Sequence, residues 1–125
     1  MTNYWLTRYK SLKYAMEGIS GFFKNEVHAK LHLILAIITL FISICCGLTA
    51  VEWLFIMLAI TLVIITEMIN TCIERIMNYI NKDYNTDIKI IKDLSAGAVL
   101  VAAAFACSVA SVILLPKIWD FFVGF

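Results

Sequence analysis

Glu67, Asn70 and Glu74 stand three and four positions apart in an otherwise apolar stretch of the sequence. If that stretch is helical, a turn of 100° per residue brings the three side chains within about 60° of one another on one face. An ionisable group inside a membrane span costs on the order of 3 kcal/mol by insertion scales, so a polar stripe there points to function. The alternative is a polar seam that glues helices together. Two more charged groups precede apolar runs: Glu26 with Lys30, and Lys92 with Asp93. Carboxylates with no cysteine ligand beside them suit a hard cation such as Mg2+, which takes one or two protein carboxylates plus phosphate oxygens. A lysine next to them can contact those phosphates. Glu67, a separate carboxylate, falls at the depth of a membrane lipid's hydroxyl and is suited to remove its proton. The implied reaction is phosphoryl transfer from a soluble nucleotide to a lipid alcohol.

The elements that must position these residues follow from composition and periodicity. Of 125 residues 62% are hydrophobic and one is proline, and the mean hydropathy is +0.91. That profile fits a small all-α membrane protein of one domain, 1–125, better than a soluble one. Residues 1–29 form an amphipathic surface helix: Trp5, Tyr9, Leu12, Met16, Ile19 and Phe23 recur at steps of four and three, with Lys10, Lys13, Glu17 and Lys24 opposite. Such a helix suits the membrane interface, and its apolar face is equally suited to packing against the chain's own spans. Transmembrane helices are expected at 31–48, 53–79 and 94–115, the last ended by Pro116 and Lys117. No cleaved signal peptide is expected, because residues 1–30 lack an uninterrupted apolar core. Cys45, Cys46, Cys72 and Cys107 have no CxxC spacing and read as small buried apolar residues.

Charge placement gives orientation and depth. The net charge of +1 excludes strong attraction to nucleic acid. Arg8, Lys10, Lys13, Lys24, Lys30, Arg75, Lys82, Lys89 and Lys92 share one side, against Lys117 on the other, so the N-terminus is expected to be cytoplasmic. With Trp53 at the outer boundary, Glu67 lies about 21 Å along a core roughly 30 Å thick, and Glu74 about 10 Å further. Glu26, Lys92 and Asp93 then converge on the same boundary as Glu74.

The familiar soluble-kinase motifs GxxxxGK[ST], GxGxxG, HRD and DFG are absent. His28 and His32 are spaced four apart, but without HExxH a surface or interface role is expected. A different class of function, a small proton-coupled membrane transporter using Glu67, is the alternative. It calls for a central carboxylate and four spans, whereas Glu67 is off centre among three.

Three segments resemble the prokaryotic diacylglycerol kinase and undecaprenol kinase family: Asn25-Glu26 followed by Lys30 and His32, Glu67 to Glu74 as ExxN[ST]xxE, and Lys92 to Val99 as KDxxxxAV. The similarity runs over nearly the whole chain. The resemblance implies an ATP-dependent lipid kinase of the bacterial cell membrane, with Mg2+ as cofactor and diacylglycerol or undecaprenol as acceptor. It implies that Glu67 is the catalytic base, that Asn70 orients the reacting groups, that Glu26 and Glu74 hold the metal of Mg-ATP, and that Lys92 and Asp93 contact the nucleotide. It also implies a homotrimer with shared active sites, with which the small residues of the third span, such as Ala102, Ala103 and Ala106, are compatible. Asn78 stands where the family commonly has Asp, His28 where Asn is frequent, and Lys30 where Arg is frequent.

Overall fold

The computed structural model describes residues 2–81 and 85–124, with side chains from Tyr4 onward. Lys82, counted above among the basic residues of one side, lies outside the described residues. Across them the chain is all-helical: α1 (Thr2–Asn25), α2 (Val27–Cys45), α3 (Ala50–Ile80) and α4 (Thr86–Val123). The last three are each long and apolar enough to cross a membrane.

The break between α1 and α2 falls at Glu26, where one extended residue (φ −95°, ψ 127°) turns the chain. Hydrogen bonding nearly runs through it, from Glu26 N–H to the Phe22 carbonyl (3.0 Å) and from Lys30 N–H to that of Glu26 (3.3 Å). Phe22 is buried at this corner and packs edge-to-face on Phe23, with centroids 5.0 Å apart. The rest of α1 leaves Trp5, Tyr9, Leu12 and Met16 exposed. Its apolar face is therefore not packed on the chain's own spans.

At the opposite end α2 stops at Cys45, and Gly47 takes the left-handed conformation (φ 60°) that a side chain would strain. Thr49 then opens α3 with a capping box. Its hydroxyl accepts from Glu52 N–H (3.4 Å), and its own N–H donates to Glu52 Oε2 (2.7 Å). Glu52 also pairs with Lys117 of α4 at 3.3 Å, tying α3 to α4 at this end.

α4 does not stop at Pro116, as its sequence suggests, but continues to Val123. Proline removes one backbone donor, a loss that neighbouring helices and local adjustment absorb in membrane helices. Here the Lys117–Glu52 pair and the buried Leu114 hold the helix to α3 on either side of the proline.

The core is one stripe along α3: Ile56, Ala59, Val63, Glu67, Asn70 and Thr71, at helical spacing. α4 packs on it through Ser95, Ala102 and Leu114, and α2 approaches with Ala29, Ala36 and Ser43, a small residue every seventh position. Ser43 donates to the Thr39 carbonyl (2.8 Å), which satisfies its buried hydroxyl within its own helix. Most large aliphatic and aromatic side chains of α2, α3 and α4 face outward, as suits helices surrounded by lipid or by other helices. All four cysteines are free, and Cys45, Cys72 and Cys107 are exposed rather than buried, Cys107 in the open groove between α2, α3 and α4.

Candidate active site

Glu67 projects from the buried stripe of α3 and is only 5% exposed. No side-chain hydrogen bond or ion pair reaches it from the described residues. A carboxylate without a protein partner inside a membrane span marks a candidate functional group. One turn away, Val63 and Ile64 line an open cavity of about 230 Å3 between α2, α3 and α4, with Ala36, Thr39, Ala103, Ala106 and His32 on its walls. The walls are almost entirely apolar, so the space suits a hydrocarbon chain.

On the other side of Glu67 a polar chain crosses the α3–α4 seam. Ser95 Oγ lies 2.7 Å from Asn70 Oδ1 and 2.9 Å from the Lys92 carbonyl, sharing one proton between two acceptors. Asn70 Nδ2 donates to Glu74 Oε1 (3.4 Å). The amide orientation is fixed by chemistry, because an ionised carboxylate only accepts. Lys92, one turn before Ser95, donates from Nζ to Asn78 Oδ1 (3.2 Å). Its partner is a neutral amide, and among the described residues no carboxylate pairs with the ammonium. Asp93 turns instead to Lys89 on its own helix.

Glu26 comes to the same end from the α1–α2 corner. Its side chain does not cap α2. It accepts from Arg75 Nη2 at 2.6 Å, and Arg75 directly follows Glu74. The structure thus brings Asn70, Glu74, Lys92 and Glu26 to one end of the bundle, with Glu67 deeper on the same face of α3. It does not join Glu26 to Glu74, and no cluster of three His, Cys, Asp or Glu side chains is present among the described residues. His28 is exposed, and neither it nor His32 belongs to a group of three metal-ligating side chains among the described residues.

Ser95 and Arg75 were not picked out by spacing. Ser95 reads as one small residue among many, and Arg75 as one more basic residue near a helix end. Lys92 and Ser95, three apart, share a face of α4, which is the one sequence signal for Ser95. Nothing in the sequence pairs Arg75 with a residue 49 positions away.

The family model described as prokaryotic diacylglycerol kinase matches residues 13–114. The chain belongs to that family. This lipid kinase is 32% identical over 110 residues to the undecaprenol kinase of Bacillus subtilis (strain 168), covering 88% of this chain and 89% of the relative. It is 31% identical over 114 residues to the diacylglycerol kinase of Synechocystis sp. (strain ATCC 27184 / PCC 6803 / Kazusa), covering 90% of this chain and 65% of the relative. Membership, together with three apolar helices, makes the kinase a multi-pass protein of a bacterial membrane. It also decides against the transporter reading of Glu67, because both relatives are named as kinases.

Proposed function

We propose that this kinase transfers the γ-phosphate of Mg-ATP to the primary hydroxyl of a membrane lipid alcohol, with diacylglycerol or undecaprenol as acceptor. The observation that carries the reading is Glu67: a buried, unpartnered carboxylate between an apolar cavity and a polar network. The lipid tail lies along the cavity, and the hydroxyl meets Glu67. Glu67 takes the hydroxyl proton as the lipid oxygen attacks the γ-phosphorus and ADP leaves. Asn70, held between Ser95 and Glu74, orients the reacting groups.

The donor set at the bundle end fits Mg2+. Glu26 and Glu74 offer hard oxygens without sulfur, and a metal bound chiefly through nucleotide phosphates needs no third protein carboxylate. When bound, Mg2+ neutralises charge on the transferring phosphoryl group. Lys92 and Asp93 contact the nucleotide, which places this end and the N-terminus in the cytoplasm. α1, with its aromatic face open, lies along the membrane interface. The active kinase is a homotrimer with shared sites. Undecaprenol is the favoured acceptor, since the Bacillus subtilis relative carries that name and the segment containing His32 resembles that branch.

Phosphorylation of diacylglycerol and of undecaprenol by one detergent-solubilised preparation, with Mg-ATP, tests the reading. Product is expected from both, faster from undecaprenol; product from neither lipid overturns it. A finer check concerns Lys92. Replacing its neutral partner, Asn78→Asp, adds a charge that competes with phosphate for the ammonium. The KM for ATP is expected to rise by about two- to fivefold with kcat little changed, the scale of an exposed ion pair.

A further inference from the structure

We propose that Arg75 is a phosphate-binding residue, parked on Glu26 while the nucleotide site is empty. The proposal rests on the nucleotide reading above and concerns a side chain to which that reading gives no role. Glu26 is the N-cap of α2 yet leaves the helix uncapped, reaching instead across to Arg75 Nη2 at 2.6 Å. Among the described residues, two ion pairs join separate helical elements: Glu52–Lys117 at the far end, and this one at the site. The far pair is partly buried on both sides, as a structural tie should be. The Arg75 side chain is 63% exposed and its partner 32%, so the guanidinium stands largely in water and can leave Glu26 at little cost.

The chemistry of the exchange follows from the groups involved. A carboxylate neutralised by guanidinium is a poor ligand for a cation, so a Glu26 that turns to a metal must give up Arg75. The released guanidinium is one residue beyond Glu74 and at the same end as Lys92, where phosphate oxygens arrive with the metal. Its planar fork of donors suits bidentate phosphate contact, which an ammonium does not supply. Lys92, steered by a neutral amide, provides a point charge, and Arg75 provides geometry. Before binding, the pair keeps Glu26 aimed across the α1–α2 corner.

This exchange has a two-sided signature. Removing Arg75 takes away a phosphate contact and at the same time frees Glu26 for a bare cation. A merely structural ion pair predicts neither change. The experiment uses full-length wild-type protein, Arg75→Gln and Arg75→Lys, all in the same detergent. Mn2+ binding without nucleotide is read by electron paramagnetic resonance, binding of a non-hydrolysable ATP analogue by fluorescence, and steady-state constants for Mg-ATP by lipid phosphorylation. Arg75→Gln is expected to weaken the analogue and raise the KM for Mg-ATP about tenfold, with kcat less affected, while Mn2+ binds severalfold more tightly. Arg75→Lys is expected to recover part of the nucleotide affinity and restore the wild-type weakness for Mn2+. Unchanged analogue affinity and Mn2+ affinity in Arg75→Gln overturn the proposal, as does a lowered melting temperature with both affinities unchanged. If wild-type protein phosphorylates no lipid, the reading of the reaction falls, and the two binding measurements still judge Arg75 on their own.

Discussion

Glu67→Gln is expected to lower lipid phosphorylation by about 10^2 to 10^4-fold, the range assigned to a positioned general base. Glutamine keeps the shape of the side chain and removes only its capacity to take a proton. The consequence for stability is small. Glu67 makes no side-chain hydrogen bond or ion pair within the described residues, so the substitution removes no protein contact. The neutral isostere should melt at about the same temperature. Activity and thermal unfolding measured on one preparation separate catalysis from folding, because an inactive variant that also unfolds early would show a structural role. Retention of the full rate would remove Glu67 from the mechanism.

Asn70→Ala is expected to cost about 10^2-fold in kcat, the penalty for misplacing reacting groups by about 1 Å. The amide stands between Ser95 and Glu74, so its loss unties α4 from the carboxylate of α3. Stability should fall by only about 1–2 kcal/mol, because Ser95 keeps the Lys92 carbonyl, already 2.9 Å away, as an acceptor. Ser95→Ala should be milder, since Asn70 then still reaches Glu74. The double variant should lose little beyond Asn70→Ala alone, because the two groups act as one unit. Additive losses in kcat would show that Ser95 acts independently of Asn70.

The stripe of Glu67, Asn70 and Glu74 was legible because helical periodicity alone places those residues on one face, and α3 keeps that face inward from Ile56 to Thr71. The three apolar helices were legible from the length of their apolar runs. The corner at Glu26 was not, and the surface helix was expected to run on to residue 29. A break of one extended residue that leaves the neighbouring hydrogen bonds nearly intact disturbs no pattern of residue types. Pro116 misled in the opposite direction, since its local preference is to end a helix and the tie from Lys117 to Glu52 outweighs it. The cysteines were misread because an apolar run does not reveal which of its faces is packed, and Cys45, Cys72 and Cys107 fall on exposed positions. Partners such as Arg75 for Glu26 depend on how α3 meets the α1–α2 corner, which no local spacing encodes.

The ties at the two ends of α3 and α4 have a mechanical consequence. α3 has 31 residues and α4 has 38, which at helical rise makes rods of about 46 and 57 Å, well beyond a hydrocarbon core of about 30 Å. Glu52–Lys117 pins the rods at one end, while Asn78–Lys92 and Asn70–Ser95 pin them at the other. Stapled in this way, they tilt together. A bilayer that thickens or thins therefore changes how deeply Glu67 sits among the lipids, and leaves its distance to Glu74 and Lys92 untouched.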